Sequence, residues 1–397
     1  MIFMQAVILC AGNSTRTYPL TETRPKPLLK AANKEILIHN LEQLQGLIKE
    51  AIIVVGFKKE MIHALLKEKK FSFDVSFVEQ KEINGNGGAL LAAKEKLNEK
   101  FLILNGDDFY SKKDLEKLLE CDCGILIKEV SNPERFGIIE EENGFAVKWI
   151  EKPLNPKSNL ANTGAHLWSN EIFELHLKKS GRGELELTDY FNFLIKKKKI
   201  KVVKSGHLWI PVGYCWNLLE ANELLLNDLQ EEILGTIEEN VFIKGTIRLG
   251  NNSLIKSGTY FEGSVVIGEN TEIGPNAYIR GNTSIGDNCK IGNAVEVKNS
   301  IIGNNSKIPH LSYIGDSVIG ENVNLGAGTK IANLRHDHKS IMAEFKEKKI
   351  DSRRKKLGAI IGDNVKTGIN TSINPGIIFA ASAFTQAGEI VKKNKLN

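Results

Sequence analysis

Gly12, Arg16, Lys26 and Asp107 are of types that suit a polyphosphate. A glycine after an apolar run lets backbone amides approach an anion, and Arg16 and Lys26 add fixed positive charge. Asp107 follows another apolar run and is placed for a magnesium ion, which takes few carboxylates and many waters. The bland alternatives are a plain turn at Gly12 and a solvated Lys26 between two prolines. A second set lies downstream: Arg280, Lys298, His310, Tyr313, Asn324, Asn333 and Lys339. An imidazole, with an unperturbed pKa of about 6.5, suits a general base. Taken singly, Arg280, Lys298, His310 and Tyr313 read as ordinary outward-facing surface residues.

The elements that must position the first set alternate in type. Strand-like runs at 5–10, 51–55, 73–78 and 101–104 separate helix-like runs at 36–49, 58–69 and 87–97. That order predicts βαβ units, a mainly parallel sheet and helices on its faces. Ligands then sit at the carboxyl ends of the strands, here the loops 11–24, 80–88 and 105–109. A helix is expected at 217–229, and a domain boundary near Gly235. Residues 181–190 read as the start of a helix capped at Thr188 or Asp189.

The second set stands in an array of six-residue repeats. Ile243, Leu249, Ile255, Phe261, Ile267, Ile273, Ile279, Ile285, Ile291 and Val297 share one register. It slips to Ile302, Ile308 and Ile314, slips again to Ile319, Leu325 and Ile331, and returns at Ile361, Thr367, Ile373 and Phe379. A period of six fits neither a helix nor a half-exposed strand. It fits a prism with one inward side chain per side, a parallel β-helix. Glycines after the inward residue (Gly250, Gly268, Gly274, Gly286, Gly292, Gly303, Gly315, Gly320) are expected to let the chain corner. Small residues two places before it, such as Ser253, Thr271 and Cys289, are expected to fit the interior. Residues 333–357 interrupt the repeats as a solvated loop, and the tail after Gly388 reads as a polar, unstructured end.

The bulk numbers exclude little. The chain of 397 residues is 42% hydrophobic and 25% charged, with a net charge of +5. Two to three domains are expected, and the mild charge does not argue for nucleic acid. Five cysteines at scattered positions read as reduced thiols without metal spacing. His166, His176 and His207 lack partner spacing and read as structural. With no signal peptide and no run of about 18 apolar residues, no membrane span is expected and the cytoplasm is the default.

Leu9-Cys10-Ala11-Gly12-x-x-x-Arg16-x-x-Pro19-Leu20-Thr21 and Pro25-Lys26-Pro27-Leu28 resemble the signature of sugar-1-phosphate nucleotidylyltransferases. Gln80 with Gly85 and Ala89, Gly106-Asp107, Phe136-Gly137, Glu151-Lys152-Pro153 and Asn162-Thr163-Gly164 follow that family's order, so the resemblance covers about 5–225. It implies that Ala11 and Gly12 line the nucleotide and that Gln80 and Gly85 read the base. Arg16 and Lys26 would hold the phosphates, Asp107 the magnesium, and Gly137, Glu151 and Asn162 the sugar. Three departures stand out. Ser14 replaces a glycine, Asn86 a threonine, and Pro211 the second metal ligand of a Trp-x-Asp segment. Either Asn217 or Asp108 completes the metal site, or the domain is slow or inactive.

Arg280-Gly281, Val295-Glu296-Val297-Lys298, His310-Leu311-Ser312-Tyr313-x-Gly315-Asp316, Asn322-Val323-Asn324, Asn333 and Lys339 resemble the acetyltransferase half of bifunctional enzymes of UDP-N-acetylglucosamine synthesis. The order of the two halves is similar to that of archaeal bifunctional nucleotidylyltransferase/acetyltransferases. The resemblance implies an α/β, Rossmann-like nucleotidyltransferase domain (1–235) followed by a left-handed parallel β-helix of hexapeptide repeats (236–397). It implies Mg2+, UTP or dTTP, and acetyl-CoA, with glucosamine or galactosamine 1-phosphate as acetyl acceptor. His310 would be the base, Arg280, Lys298 and Tyr313 would grip the sugar phosphate, and Asn324, Asn333 and Lys339 would complete the pocket. Arg353 to Lys356 would meet the phosphates of coenzyme A. A homotrimer, or a dimer of trimers, is implied, with sites between subunits. The alternatives are an acetyltransferase with an inactive front domain, or a non-enzymatic scaffold like subunits of the translation-initiation exchange factor.

Overall fold

A computed structural model describes residues 4–345 and 348–396. The chain forms two compact units. One holds the residues up to Asn13, Pro25–Leu28 and Ile36–Pro211; the other holds Ser14–Arg24, Leu29–Glu35 and the chain from Val212 onward.

The first unit is built on a nine-stranded sheet. Its order is Asp74–Glu79, Glu50–Val55, Gln5–Leu9, Lys100–Asn105, Leu160–Ser169, Gly124–Glu129, Ile200–Lys204, Phe145–Glu151 and Gly137–Glu142. The first four strands are parallel, and Leu160–Ser169 runs against both its main neighbours. Both faces are covered, because alternate residues enter different cores: Ala6 and Ile8 one, Val7 the other. That is why these strands read as continuous apolar runs. The helices are shorter than expected. Ile36–Gln43 stops before Gly46, which is left-handed at φ 81°, and Asn86–Ala92 gives way to a 3-10 turn at Lys94–Lys96. The helix Leu187–Leu194 begins before the expected caps Thr188 and Asp189, with Glu186 at its N-cap.

In the second unit the six-residue rows stack as a parallel β-helix. Leu249, Ile267, Ile285, Ile302, Ile319, Ile361 and Phe379 lie above one another, 17 or 18 residues apart except across the insertion. Phe261, Ile279, Val297, Ile314, Ile331, Ile373 and Val391 form a second column, and Ile255, Ile273, Ile291 and Ile308 belong to a third. All but one of the expected inward residues before the insertion are buried. The exception is Ile243, 43% exposed. The two short strands that precede it reach only Arg248 and Leu249 and the Leu254–Ile255 strand, so no row covers Ile243.

The corners differ from expectation. Of the eight glycines only Gly274, at φ 99°, has positive φ; Gly250, Gly268, Gly286, Gly303 and Gly320, which form one column, are not left-handed, and their role is close approach. A Cβ at Gly250 would stand 2.6 Å from the backbone of Gly268 in the next coil. The turn falls two residues later, on Asn252, Asn270, Asn288, Asn305, Asn322 and Asn364, all at φ between 53° and 62°. Asparagine tolerates that region better than other residues with a Cβ. Ser253 and Thr271 are buried and donate to Gly268 O and Gly286 O of the following coil.

The interruption is partly ordered as a hairpin, Met342–Phe345 with Lys348–Asp351, and Ala343 is buried. Phe345 meets Trp216 edge-on at 5.9 Å. An apolar alternation at 341, 343 and 345 was there to be read. The tail is also structured: Ile390–Val391 extends a column, and Asn394 Oδ1 accepts from Ile378 N.

Candidate functional sites

The first unit brings Ala11, Gly12, Lys26, Gln80 and Asp107 to the carboxyl ends of its parallel strands. Hydrogen bonds from Cys10 N to Val54 O (2.8 Å), Phe57 N to Ala11 O (3.0 Å) and Gly106 N to Leu9 O (3.0 Å) fasten the loop. A Cβ at Gly12 would meet nothing within 4 Å, so the space beside it is open. Lys26 Nζ lies 2.6 Å from Asp107 Oδ2, and the lysine side chain is only 7% exposed. Burial, then the charge of Asp107, pushes the Cys10 thiol far up, which keeps it neutral.

Gln80 is 5% exposed, and its Nε2 donates to Asn84 Oδ1 and to Gly85 O, both at 3.0 Å. Its amide nitrogen therefore shapes the loop it stands in. Segment 184–187 closes on the same loop: Leu185 N donates to Asn84 O, Gly87 N to Leu185 O, and Leu187 N to Asn86 Oδ1. A Cβ at Gly85 would come within 2.4 Å of Leu185 O. Asn84 and Leu185 were not singled out by sequence, since their part is a contact across about a hundred residues.

The strand register sets Gly137 opposite Glu151 and Ala161 opposite Ile138, which carries Asn162 toward Gly137. Asn162 Oδ1 accepts from Gly164 N at 2.8 Å. Arg16, in the 3-10 turn Thr15–Thr17, is exposed and belongs to the second unit.

Pro211 pairs with Asp108, the neighbour of Asp107. Asn217 Oδ1 accepts from Tyr214 N at 2.9 Å. Among the described residues no cluster of three or more His, Cys, Asp or Glu could hold a metal unaided. Asp107 keeps 31% of its side chain exposed. One or two carboxylates plus substrate phosphates is what magnesium commonly uses, so these residues fit an ion that arrives with the nucleotide.

In the second unit Arg280, Lys298 and Gly315 are consecutive rungs of one column, and Glu296 and Tyr313 are rungs of the next. Lys298 Nζ lies 3.2 Å from Asp316 Oδ2; Asn299 and Asn333 donate to the same carboxylate. Arg280 Nε meets Glu296 Oε1 at 2.7 Å, and its guanidinium lies 5.4 Å from the Tyr278 ring. Burial raises the Tyr313 phenol, and the charges of Glu296 and Asp316 add to it. His310 ends a strand on the adjoining face and is exposed. The corner between His310 and Tyr313 places Leu311 at φ 50° and 62% exposed. Asparagine, glycine or alanine fills that turn in the other coils, so a leucine there is strained. Asn324 and Lys339 are exposed, and Lys339 N donates to Asp337 Oδ1. Asp316 was legible only as part of a motif, since its three donors, Lys298, Asn299 and Asn333, come from the two coils on either side of it.

Residues 5–228 match the family described as Nucleotidyl transferase, and residues 261–394 match the GMPPB C-terminal domain. A solved glucose-1-phosphate thymidylyltransferase from Bacillus anthracis aligns with TM-score 0.52 and 28% identity, over 58% of this chain and 97% of that one. The class is thus a nucleotidyltransferase joined to a β-helical second half. The Bifunctional protein GlmU of Methanocaldococcus jannaschii is 44% identical, over 98% of this chain and 95% of its own length. The bifunctional sugar-1-phosphate nucleotidylyltransferase/acetyltransferase of Sulfurisphaera tokodaii is 42% identical, over 98% of both. The chain belongs to this family of bifunctional nucleotidylyltransferase/acetyltransferase enzymes.

Proposed function

We propose that the chain makes a nucleotide-activated N-acetylamino sugar by two reactions. In one, the phosphate oxygen of a sugar 1-phosphate attacks the α-phosphorus of UTP or dTTP, and pyrophosphate leaves. Ala11 and Gly12 line the nucleotide, the loop shaped by Gln80 and Gly85 reads the base, and Gly137, Glu151 and Asn162 hold the sugar. Lys26 and Arg16 neutralise the phosphates, where positioning and charge do most of the catalysis. Asp107 would hold magnesium, which supplies further charge neutralisation at the transferring phosphate when bound.

In the other reaction the amine of glucosamine or galactosamine 1-phosphate attacks the thioester carbon of acetyl-CoA. The nitrogen–carbon bond forms and the carbon–sulfur bond breaks. His310 takes the amine proton, and the thiolate leaves to be protonated. Arg280, Lys298 and Tyr313 grip the phosphate, and Asn324, Asn333 and Lys339 complete the pocket. Arg353 to Lys356 meet the phosphates of coenzyme A. The exposure of His310 supports this reading, because a base for an external substrate must be reachable. The domains are 1–235 and 236–397, the coil is left-handed, and a trimer or a dimer of trimers works in the cytoplasm. No helix among the described residues is long and apolar enough to cross a membrane.

The observation that carries the reading is the Lys26–Asp107 pair at 2.6 Å in the strand-end loops. It stands in a chain 44% identical to a bifunctional relative over nearly its whole length. The test is a product screen with four nucleotides and several sugar phosphates, with and without acetyl-CoA. UDP- or dTDP-N-acetylamino sugar is expected, and His310→Ala should lose acetyl transfer alone. No pyrophosphate and no free coenzyme A under any condition would overturn it.

A further inference from the structure

The segment Ser14–Arg24 carries Arg16, yet it has little structure of its own. It consists of two single 3-10 turns, Thr15–Thr17 and Leu20–Glu22, and such short turns hold poorly by themselves. Thr17 and Thr21 tie back to Ser14 O. What fixes its far end is the β-helix. Arg24 Nη1 lies 2.6 Å from Glu321 Oε1, and Nη2 lies 2.5 Å from Asp363 Oδ2. Thr23 Oγ1 donates to Asp363, and Glu22 accepts from Ala381 N at 2.7 Å.

Glu321, Asp363 and Ala381 are the same corner position on three consecutive coils. Asp363 Oδ1 accepts Glu321 N across the stack at 2.7 Å, which leaves Oδ2 to Arg24 and Thr23. Three consecutive residues of the segment thus hold three consecutive rungs. The guanidinium side chain is 14% exposed and Asp363 only 5%. Burial opposes the charge on Arg24, but Glu321 and Asp363 outweigh it and hold its pKa above the usual arginine value. A bidentate arginine between two carboxylates is directional as well as strong.

Arg24 also stands between the two proposed phosphate cations in sequence, eight residues after Arg16 and two before Lys26, with Pro25 stiffening the link. We propose that Arg24 is a positioning residue for nucleotidyl transfer. It anchors the Arg16 segment on the coils that carry Glu321 and Asp363, so the nucleotidyl reaction depends on the β-helix for the placement of one of its cations. This rests on the function proposed above.

The experiment is steady-state pyrophosphate release and acetyl transfer by the full-length wild type, Arg24→Ala, Arg24→Lys and Asp363→Asn. Arg24→Ala should raise the KM for the nucleotide or lower kcat by roughly 10- to 100-fold in kcat/KM, since misplacing one group by about an ångström costs of that order. Its KM for the sugar phosphate and its acetyl transfer should stay within about twofold. Arg24→Lys, which keeps the charge but not the fork, should recover part of the loss, and Asp363→Asn should reproduce part of it. Nucleotidyl kcat/KM of Arg24→Ala within about twofold of wild type overturns the proposal, as does an equal loss of both activities. A wild type that releases no pyrophosphate overturns the function itself.

Discussion

Lys298 and Asp316 form a largely buried ion pair, with Nζ 3.2 Å from Oδ2 and side-chain exposures of 16% and 4%. Asn299 and Asn333 donate to the same carboxylate. Three side chains from the two flanking coils thus converge on one acid, and two of them, Lys298 and Asn333, are proposed to touch substrate. The acid itself sits at a left-handed corner, φ 46°. Its work is to hold the others in place.

Asp316→Asn keeps the shape and removes the charge that orients the lysine. The expected result is a rise in KM for the amino-sugar phosphate with a kcat/KM loss of about tenfold or more for acetyl transfer, because breaking a buried pair leaves its partner uncompensated. Nucleotidyl transfer, measured on the same preparation, is expected to be unchanged. Unchanged acetyl transfer would show that Lys298 is oriented by something else.

Lys26 and Asp107 contact each other, although each is proposed to serve the nucleotide. The pair neutralises two charges that, under the proposed function, the phosphates and the magnesium would engage separately. Lys26→Ala is expected to reduce pyrophosphate release by at least about a hundredfold, the order seen when a group that stabilises a charged transition state is removed. Pro211→Asp sets a carboxylate opposite Asp108 and is expected to lower the magnesium concentration needed for half-maximal rate. The readout is a magnesium titration of pyrophosphate release. Identical titration curves for wild type and Pro211→Asp would remove Pro211 from the metal site.

The six-residue period alone is enough to imply the β-helix, because a prism repeats the same side and each repeat shows one inward residue. What the period could not show is which atoms approach when coils stack. The glycine column looked like a set of corners and is a set of close contacts, with the corner on asparagine two residues on. The docking of segment 184–187 on Asn84 and Gly87 was equally hidden, being a pairing of two irregular loops through backbone atoms. The glycine column has a direct test. Gly250→Ala puts a methyl carbon 2.6 Å from the Gly268 backbone, and overpacking of that kind costs about 1–3 kcal/mol. Gly181→Ala, where a Cβ meets nothing within 4 Å, is expected to be neutral. Urea unfolding of both variants decides it, and equal midpoints would refute the contact role.

His166 reads from sequence as structural, and the structure gives that role a pH signature. It is fully buried between Trp149, at 5.4 Å, and Trp168, at 4.5 Å, and neither ring nitrogen has a protein hydrogen-bond partner. Burial lowers its pKa from 6.5 to about 3. The folded protein therefore keeps the ring neutral while an unfolded chain protonates it below about 6.5. The contribution to stability is complete above that value and is lost as the pH falls toward about 3. One proton of difference is worth about 1.4 kcal/mol per pH unit. Between pH 7 and pH 5 wild type is thus expected to lose about 2 kcal/mol more than His166→Phe, which fills the same aromatic slot without a site for the proton. Urea midpoints of the first unit's transition at the two pH values measure it; parallel losses in the two proteins would mean that the ring is hydrated or already shares its proton with a neighbour.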